Sequence, residues 1–407
     1  MLFAQYPAAT PRQLASAIHF ERFTRTMRRA DEFNPRDAGL YHNPVTINDR
    51  GGDRPQEVVK GYDFDNIDSG IFHITGGVIA SFSNTVVASR INQSSLGSSL
   101  CRVTAMVHSR YLAVKVKPNP GSYRFIVDGR FVSLTGTTLA TTSGPVAQWI
   151  LLDFGTRAAR SVTVEGGANC GIYGFWVEPT GTCWPIDTSN ALYACMLGDS
   201  YVQGVGDDAG GKDNIAAQLG DRLGFHMHPS PAGGTGWATN NSSYSFQQRI
   251  ANGDIGSFSY YRPDIIFLMG SYNDRNAGQS LITANALAGL RQVRTDYAEV
   301  PIIMFGVAPG ATGPNSAILS SEQAIGDAVS TFADPLCRFV PLSTDTAGAW
   351  IEGTGNVVNP TGTGNSDYLT SSDSVHPSQE GHALLALRMA KATRSALSDM
   401  SVGRVAS

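Results

Sequence analysis

Uninterrupted apolar runs alternate with helical segments from about residue 188 onward, and this rhythm constrains the fold more than any other feature. Strands that are apolar throughout are buried on both faces, as in parallel sheets that helices cover on two sides. Residues 186–407 are therefore predicted to form an α/β domain of three layers with a parallel sheet. The predicted strands are ALYACML, HMHPSPA, DIIFLM and PIIMFGV, and the predicted helices are NIAAQLGDRLG, ITANALAGLRQVRTDYAE, SEQAIGDAVSTFA and GHALLALRMAKATRSALS.

A different pattern precedes this region. Between about Gly61 and Glu178, short segments alternate apolar with polar or small residues, as in CRVTAMVHSRYLAVKVKP and SYRFIVDGRFVSL. Val-Asp-Gly-Arg at 127–130 lies between two such segments and predicts a β-hairpin turn. Residues 61–185 are therefore predicted to form a β-sandwich domain of jelly-roll-like type, which is a candidate carbohydrate-binding module.

The first 60 residues are mixed. Residues 11–33 have a loose helical pattern with an arginine-rich side, and residues 34–56 are polar and rich in Asn, Asp, Gly and Pro. This composition predicts a helix followed by an extended arm or linker. The arginines fit a solvated helix face, and contact with an acidic partner is the alternative. Such an arm also offers a contact for assembly or oligomerisation.

Charge and cysteine content exclude several classes of protein. Only 16% of the 407 residues are charged and the net charge is -4, which argues against a nucleic-acid partner. No apolar run is long enough to span a membrane, and no secretory signal is visible at the N-terminus. The five cysteines lack metal-site spacing. A pairing between Cys170 and Cys183 stays open at this stage.

Polar residues cluster at the predicted strand ends. Gly198-Asp199-Ser200 ends the first apolar run, Gly233-Gly234 follows HMHPSPA, and Ser271-Tyr272-Asn273-Asp274 follows DIIFLMG. In open parallel sheets, ligands bind beyond the carboxyl ends of the strands. A carboxylate and an imidazole, Asp373 and His376, stand three residues apart before the last helix. Together these loops predict a site at one edge of the sheet.

The residue types at this edge fit acyl transfer. A serine hydroxyl such as that of Ser200 is a weak nucleophile until a base takes its proton. His376 is the candidate base, with Asp373 orienting its ring. The tetrahedral intermediate needs donors for its oxyanion, and the candidates are the Ser200 amide, a glycine amide at 233–234 and the side-chain amide of Asn273.

Four blocks in this order resemble the SGNH hydrolases, also called the GDSL esterase and lipase family. They are Gly198-Asp199-Ser200, the glycine loop, Pro263-Asp264 leading into Asn273-Asp274, and Asp373-x-x-His376-Pro377, over about residues 186–400. The resemblance implies a flavodoxin-like α/β/α fold. It also implies Ser200 as nucleophile, His376 as base, Asp373 as its partner, and Gly234 or Gly233 with Asn273 in the oxyanion hole. Asp199 and Asp274 would have supporting roles.

Two positions depart from the family pattern. Ser271 stands where the third block has glycine, and the glycine block lacks its frequent preceding asparagine. The second departure leaves open which of Gly233 and Gly234 is the oxyanion donor. Neither departure removes a reacting group.

Three other features of the sequence have alternative interpretations. Residues 206–212 fit the first part of a phosphate-binding loop, but Asp213 stands where serine or threonine is required. His226 and His228 alternate on a predicted strand and lack a third ligand, which favours structural histidines over a metal site. Tyr201 and Trp237 either floor a substrate pocket or pack in the core.

The sequence therefore predicts a serine esterase that needs no metal or organic cofactor. A sandwich module beside this catalytic domain resembles carbohydrate O-acetyl esterases, so an acetylated polysaccharide or oligosaccharide is the expected substrate. A broader short-chain carboxylesterase or lipase is one alternative. A non-catalytic virion or surface protein that binds glycan is the other. The substrate inference favours an extracellular, surface or virion-associated location.

Overall fold

Two sheets organise the chain, one antiparallel and one parallel. The computed structural model describes residues 21–28, 36, 38–64, 68–80, 85–87, 100–117, 122–138, 147–167, 170–206, 212–240, 244–256 and 261–405. Within these ranges, no helix is both long and apolar enough to cross a membrane.

The antiparallel sheet has twelve strands in the described part of the chain. They are β1 Thr46–Asp49, β2 Lys60–Asp63, β3 His73–Thr75, β4 Val78–Ala80, β5 Thr85–Val87, β6 Cys101–Val116, β7 Ser122–Val127, β8 Arg130–Phe131, β9 Thr137–Thr138, β10 Gln148–Gly166, β11 Gly171–Val177 and β12 Thr182–Trp184.

Two long strands divide this sheet into two faces. The first half of β6 pairs with β3 and β12, and its second half pairs with β11. β10 follows β6 throughout, with a register shift between Asp153 and Ala158. Side chains from both halves of β6, such as Val103 and Val114, share one buried core. An apolar core between two antiparallel faces is the packing of a β-sandwich, as predicted.

The hairpin predicted at 127–130 is present between β7 and β8. Asp128 and Gly129 have φ of 49° and 76°. Positive φ at both central positions is the requirement of the two-residue turn that matches strand twist. All five cysteines are buried and none forms a disulfide, so Cys170 and Cys183 do not pair with each other in the structure.

The parallel sheet has five strands in the order β14-β13-β15-β16-β17. They are β13 Tyr193–Gly198, β14 His226–Pro231, β15 Ile265–Met269, β16 Ile302–Phe305 and β17 Cys337–Val340. In chain order this is 2-1-3-4-5, the flavodoxin-like arrangement, whose switch point lies between the first and third strands. The α/β fold predicted from the sequence is therefore confirmed.

Seven helices accompany the parallel sheet in the described residues. They are α1 Ser200–Gln203, α2 Ile215–Leu223, α3 Phe246–Ala251, α4 Gln279–Asp296, α5 Ser316–Phe332, α6 Ser366–Leu369 and α7 Gln379–Val405. α2 shows how local sequence sets the bounds. Asn214 caps its first turn by accepting a bond from the Ala217 amide, and Gly224 ends it with φ of 72°.

β17 and α3 are among the elements of this half that were not predicted. β17 is only four residues long and contains a charged arginine, Arg338, so it lacks the apolar run that marked the other strands. α3 is short as well, and its Ser245–Gln248 capping box is a weak signal without a long apolar repeat behind it. Both elements are fixed by packing against longer neighbours.

The described part of the N-terminal 60 residues contacts both halves of the molecule. Residues 21–28 are helical, and Phe23 packs edge-to-face on Phe225. β1 pairs with the first half of β10, so residues predicted as an arm contribute a sandwich strand. The rest of the predicted helix, residues 11–20 and 29–33, lies outside the described residues. The division at residues 60 and 185 stays a prediction.

A buried ionic network joins the sandwich to the parallel-sheet half. Arg124 donates two bonds of 2.8 Å to Asp213, and Arg102 bonds Asp221 at 2.5 and 3.0 Å. Glu165 bonds both of these arginines. The full set alternates three arginines with three carboxylates, namely Arg36, Arg102, Arg124, Glu165, Asp213 and Asp221.

Candidate active site

Ser200 lies where β13 turns into α1, at the carboxyl edge of the parallel sheet. The turn is tight, because a Cβ on Gly198 would lie 2.3 Å from Val202 Cγ2. Asp199 caps the short helix by accepting a hydrogen bond of 3.0 Å from the Tyr201 amide. The backbone therefore presents the Ser200 hydroxyl at the switch point of the sheet.

His376 and Asp373 complete a chain of polar contacts with Ser200. His376 Nε2 lies 2.7 Å from Ser200 Oγ, and His376 Nδ1 lies 2.5 Å from Asp373 Oδ2. An ionised carboxylate accepts only, so Nδ1 donates to it and Nε2 is left to accept the serine proton. The structure brings the three predicted catalytic residues together in the geometry of a nucleophile, a base and its orienting group.

The Asp373 carboxylate is fixed by its own loop. Its Oδ1 accepts from the amides of Val375 and His376, each at 2.9 Å, and from the Ser371 hydroxyl at 2.8 Å. Partial burial works to raise the pKa of Asp373, but these bonds and the His376 side chain outweigh it and hold the pKa well below its usual range. Asp373 is therefore ionised at any pH at which a histidine base operates.

The glycine loop lies beside the serine. A Cβ on Gly233 would lie 3.7 Å from Ser200 Cβ and 3.0 Å from Gln203 Oε1. Gly234 has φ of 72°, a conformation that favours glycine. A side chain at position 233 would contact Gln203 and Ser200, and the backbone conformation at position 234 favours glycine. Gly233 therefore lies directly beside Ser200.

Asp274 holds the residues that follow the glycine loop. Its carboxylate accepts from three consecutive amides, those of Trp237, Ala238 and Thr239, at 2.6, 3.0 and 2.9 Å. Burial raises the pKa of Asp274, although these bonds oppose the shift. A side chain on Gly236 would collide with this carboxylate, at 2.4 Å from Oδ1. Asp274 therefore supports the loop and lies apart from the reacting groups.

Ser271, which replaces the family's glycine, has a defined partner. It is fully buried, and its hydroxyl lies 2.6 Å from Asp199 Oδ2 and 2.8 Å from the Thr235 carbonyl. Asn273 Nδ2 lies 3.0 Å from the same carbonyl and 3.3 Å from Asp199 Oδ2. These acceptors fix the Asn273 amide, and the second hydrogen of its nitrogen is the candidate oxyanion donor.

Asp199 is the centre of this cluster. Burial raises its pKa to about 6, and the bonds from Ser271 and the Tyr201 amide oppose that shift. Because burying a carboxylate is costly unless it is hydrogen-bonded, the bond from the Ser271 hydroxyl helps to stabilise Asp199 in this position. The departure in the third block therefore adds a polar contact to the loop beneath Ser200.

One residue of this edge carries no signal in the sequence. Arg249 is fully buried and bonds the Gly198 carbonyl at 2.8 Å and the Ser230 carbonyl at 2.6 Å. Asp254 balances its charge at 2.8 Å. The Arg249 guanidinium thus connects the carboxyl end of β13 to β14 through hydrogen bonds below Ser200. A lone arginine in a short helix belongs to no motif, so only the structure identifies it.

The remaining predicted positions have structural contacts. Tyr201 and Trp237 are buried, and the Tyr201 hydroxyl bonds the Val375 carbonyl at 2.5 Å, so both pack in the core. His226 Nδ1 lies 3.0 Å from His73 Nε2, and His228 Nδ1 accepts from the Gly76 amide at 3.1 Å. Burial lowers the pKa of both His226 and His228 to about 3. These histidines are neutral groups where the two sheets meet.

The phosphate-loop alternative is not supported by the residues that are described. Residues 207–211 lie outside them, and Asp213 is held in the ionic network by Arg36 and Arg124. Among the described residues, no group of three or more His, Cys, Asp or Glu side chains is arranged to hold a metal ion.

Comparison with known proteins finds a family match within the parallel-sheet half of the chain. Residues 196–384 match the model of the GDSL-like Lipase/Acylhydrolase family. This segment contains the Ser200, Gly233, Asn273 and His376 blocks, so the resemblance to the SGNH hydrolases is confirmed over it. A comparison of the sequence with curated proteins found no match.

Solved structures share the fold of both halves. A family two carbohydrate esterase from Cellvibrio japonicus is 12% identical, with a TM-score of 0.58, and the match covers 88% of this chain and 100% of that one. An acetyl xylan esterase from the rumen bacterium Butyrivibrio proteoclasticus is 14% identical, with a TM-score of 0.58, over 84% and 100% of the two chains. A salicylyl-acyltransferase from a tetracycline biosynthetic pathway is 14% identical, with a TM-score of 0.59, over 84% and 99%.

These matches cover more of the chain than the parallel-sheet half alone, so the likeness includes the antiparallel sheet. Because the sequence identities are only 12–14%, these matches show a similarity of fold. Family and fold together support an esterase, which agrees with the arrangement of polar groups around Ser200.

Proposed function

We propose that the protein is a serine esterase in which Ser200, His376 and Asp373 form the catalytic triad. The observation that carries the proposal is the continuous hydrogen-bonded chain of 2.7 Å from Ser200 Oγ to His376 Nε2 and 2.5 Å from His376 Nδ1 to Asp373 Oδ2. The contacts of this chain hold the imidazole in the tautomer that a base needs.

The mechanism follows from these positions. Ser200 Oγ attacks the ester carbonyl while His376 Nε2 takes its proton, and the tetrahedral intermediate carries the negative charge on the former carbonyl oxygen. His376 then gives the proton to the leaving alcohol, which leaves an acyl-Ser200 ester. Water, activated by the same imidazole, hydrolyses that ester and releases the acid. The charge of Asp373 stabilises the imidazolium in both steps.

Amide groups at the sheet edge are the proposed oxyanion donors. They are the backbone amide of Ser200, the backbone amide of Gly233 and Nδ2 of Asn273. Losing one such donor typically costs about 2.7–4 kcal/mol of transition-state stabilisation. Gly233 is preferred over Gly234 because its Cβ position lies 3.7 Å from Ser200 Cβ.

The proposed substrate is a short acyl ester, most specifically an O-acetyl group on a polysaccharide or oligosaccharide. Support comes from the two-domain fold, which is shared with solved structures described as a family two carbohydrate esterase and an acetyl xylan esterase. The sandwich would frame or bind the sugar beside the catalytic domain. A broader short-chain carboxylesterase or lipase activity and a non-catalytic glycan-binding role are the competing outcomes.

Hydrolysis of p-nitrophenyl esters from acetate to octanoate tests the proposal, with acetylated xylan as a second substrate. The wild type is compared with Ser200→Ala and with Ser372→Ala, a control at an exposed serine of the His376 loop. Serine-dependent turnover that peaks at acetate, with acetate release from xylan, supports the carbohydrate esterase. A peak at longer chains favours the lipase alternative. Equal turnover by folded Ser200→Ala would overturn the triad.

A second measurement addresses the intermediate. Wild type is mixed with excess p-nitrophenyl acetate and the reaction is quenched rapidly. Intact-mass analysis should then reveal one added acetyl group per chain, and peptide mapping should place it on the peptide that contains Ser200. Ser200→Ala should show none, and Ser372→Ala should label like the wild type. Label on another residue would contradict the acyl-serine mechanism.

A further inference from the structure

A strained residue separates Asp373 from His376. Ser374 has φ of 65°, in the left-handed region that residues with a side chain seldom adopt. Within the described residues, Asp128 and Ala333 are the other non-glycine cases, and these occupy a hairpin turn and a helix C-cap. Such a conformation is unfavourable for a residue with a side chain and needs surrounding contacts to persist.

The left-handed turn shapes the triad. It curls the chain so that the amides of Val375 and His376 both point at Asp373 Oδ1, while the His376 ring reaches Asp373 Oδ2. A different φ at Ser374 would redirect the backbone that leads from Asp373 to the His376 side chain. The placement of His376 against Ser200 therefore depends on the conformation of Ser374.

Asn356 holds Ser374 from a different segment of the chain. Its Nδ2 donates to Ser374 Oγ at 2.7 Å, and its Oδ1 accepts from the amides of Val358 and Asn359 at 3.0 and 2.8 Å. Only 4% of Asn356 is exposed. Two amide donors on Oδ1 fix which end of the side chain is oxygen, so the nitrogen end faces the serine.

The other side of Ser374 is held by backbone. The Ala311 amide donates to the Ser374 carbonyl at 2.9 Å, and a Cβ on Gly310 would lie 2.6 Å from that carbonyl oxygen. This contact positions the carbonyl, while the contact from Asn356 is made to the side chain. Asn356 is thus the side-chain partner that fixes the Ser374 hydroxyl.

We propose that Asn356 is a positioning residue for the triad, acting through Ser374 to hold His376 in line with Ser200. The turnover part of this inference rests on the proposed esterase function. A displacement of the imidazole by about 1 Å is enough to lower turnover roughly 100-fold. Asn356→Ala is therefore expected to lower kcat about 10- to 100-fold while KM changes little, since the ester itself does not contact Asn356.

A double-mutant cycle tests the route of the effect. Glycine adopts positive φ without strain, so Ser374→Gly should stay within a few-fold of wild-type kcat, whereas Ser374→Ala should lose about as much as Asn356→Ala. In the Ser374→Gly background, Asn356→Ala should cost little further, because the contact that it removes no longer exists. An equal loss in both backgrounds would mean that Asn356 acts elsewhere and would overturn the proposal.

Asn365→Ala is the matched control. Asn365 ties the same segment through the Trp350 carbonyl at 3.2 Å and the Glu352 amide at 2.8 Å. Its loss should lower the melting temperature but leave kcat unchanged. A comparable fall in kcat for Asn365→Ala would mean that Asn356 only stabilises this segment as a whole, which would contradict the proposed positioning role.

A spectroscopic readout keeps the test independent of turnover. The Nδ1 proton shared between His376 and Asp373 should give a downfield proton NMR signal in the wild type, in Asn365→Ala and in Ser374→Gly. The signal should be lost or broadened in Asn356→Ala. If the wild type hydrolyses no ester, the esterase proposal fails, yet this signal still decides the positioning role. An unchanged signal in folded Asn356→Ala would overturn it.

Discussion

Arg124 of the sandwich donates two hydrogen bonds of 2.8 Å to Asp213 of the parallel-sheet half, although 89 residues separate them. Asp213 also accepts from Gln379 Nε2 at 3.1 Å, at the start of the helix that follows His376. The ionic network between the two sheets is therefore continuous with the end of the loop that carries Asp373 and His376. This relationship makes the contact between the halves relevant to both stability and activity.

Removal of Arg124 should destabilise the protein strongly. The Arg124 side chain is fully buried, and Arg124→Leu would leave Glu165 with Arg102 and Asp213 with Arg36 as their remaining partners in the network. Breaking a buried pair from one side costs about 3–5 kcal/mol. Denaturant unfolding should show this loss, while Arg110→Ala, at an exposed pair with Asp153, should leave the midpoint unchanged. Equal midpoints for the two variants would contradict the role of the network.

The same network predicts a stability that falls in acid. Burial works to raise the pKa of Glu165, Asp213 and Asp221, but their arginines outweigh it and hold each pKa below its usual value. The unfolded chain therefore takes up protons as the pH falls through about 4, while the folded chain does not. The free energy of unfolding should be fully present above about pH 5 and decline below it.

Chemical denaturation at a series of pH values between 3 and 7 measures this decline. Arg124→Leu should show a shallower dependence than the wild type, because the pKa values of its Glu165 and Asp213 are less depressed. A wild type whose stability is constant down to pH 3 would show that the carboxylates are not held ionised by the arginines.

Asp373→Asn should abolish most of the esterase turnover. An asparagine can keep the amide contacts of Val375 and His376 through its oxygen, which turns its NH2 group toward His376 Nδ1. The imidazole would then carry its proton on Nε2 and could not accept one from Ser200. The expected fall in kcat is roughly 10³- to 10⁴-fold, with a near-normal melting temperature. A fall below about 10-fold would assign the base to another group.

The two loop glycines should respond differently to alanine. Gly233→Ala keeps the backbone amide but places a methyl group 3.0 Å from Gln203 Oε1 and 3.7 Å from Ser200 Cβ, and a shift of the loop by about 1 Å should lower kcat by roughly 100-fold with little loss of stability. Gly234 has φ of 72°, so Gly234→Ala should mainly lower stability, by about 1–2 kcal/mol. Paired kinetics and melting curves separate these effects. A larger kcat loss in folded Gly234→Ala would show that the site depends more on the backbone at Gly234 than on the space beside Gly233.

Much of the fold was predictable because it is encoded locally. A few neighbouring residues are enough to predict the apolar strands β13, β15 and β16 and the capped helix α2. The same is true of the Asp128-Gly129 turn. The hydrogen-bonded arrangement of Ser200, His376 and Asp373 was also predictable, because chemistry restricts which residue types can act as nucleophile, base and orienting acid.

The tertiary structure alone decided the contacts between distant segments. Nothing near Asn356 in the sequence indicates Ser374, and nothing near Arg249 indicates the Gly198 carbonyl, because each pair depends on where separate loops cross the sheet edge. Whether Cys170 and Cys183 form a disulfide was likewise open until their positions were known. Side-chain partners are set by three-dimensional distance, and a single sequence carries that information only where partners are neighbours in the chain.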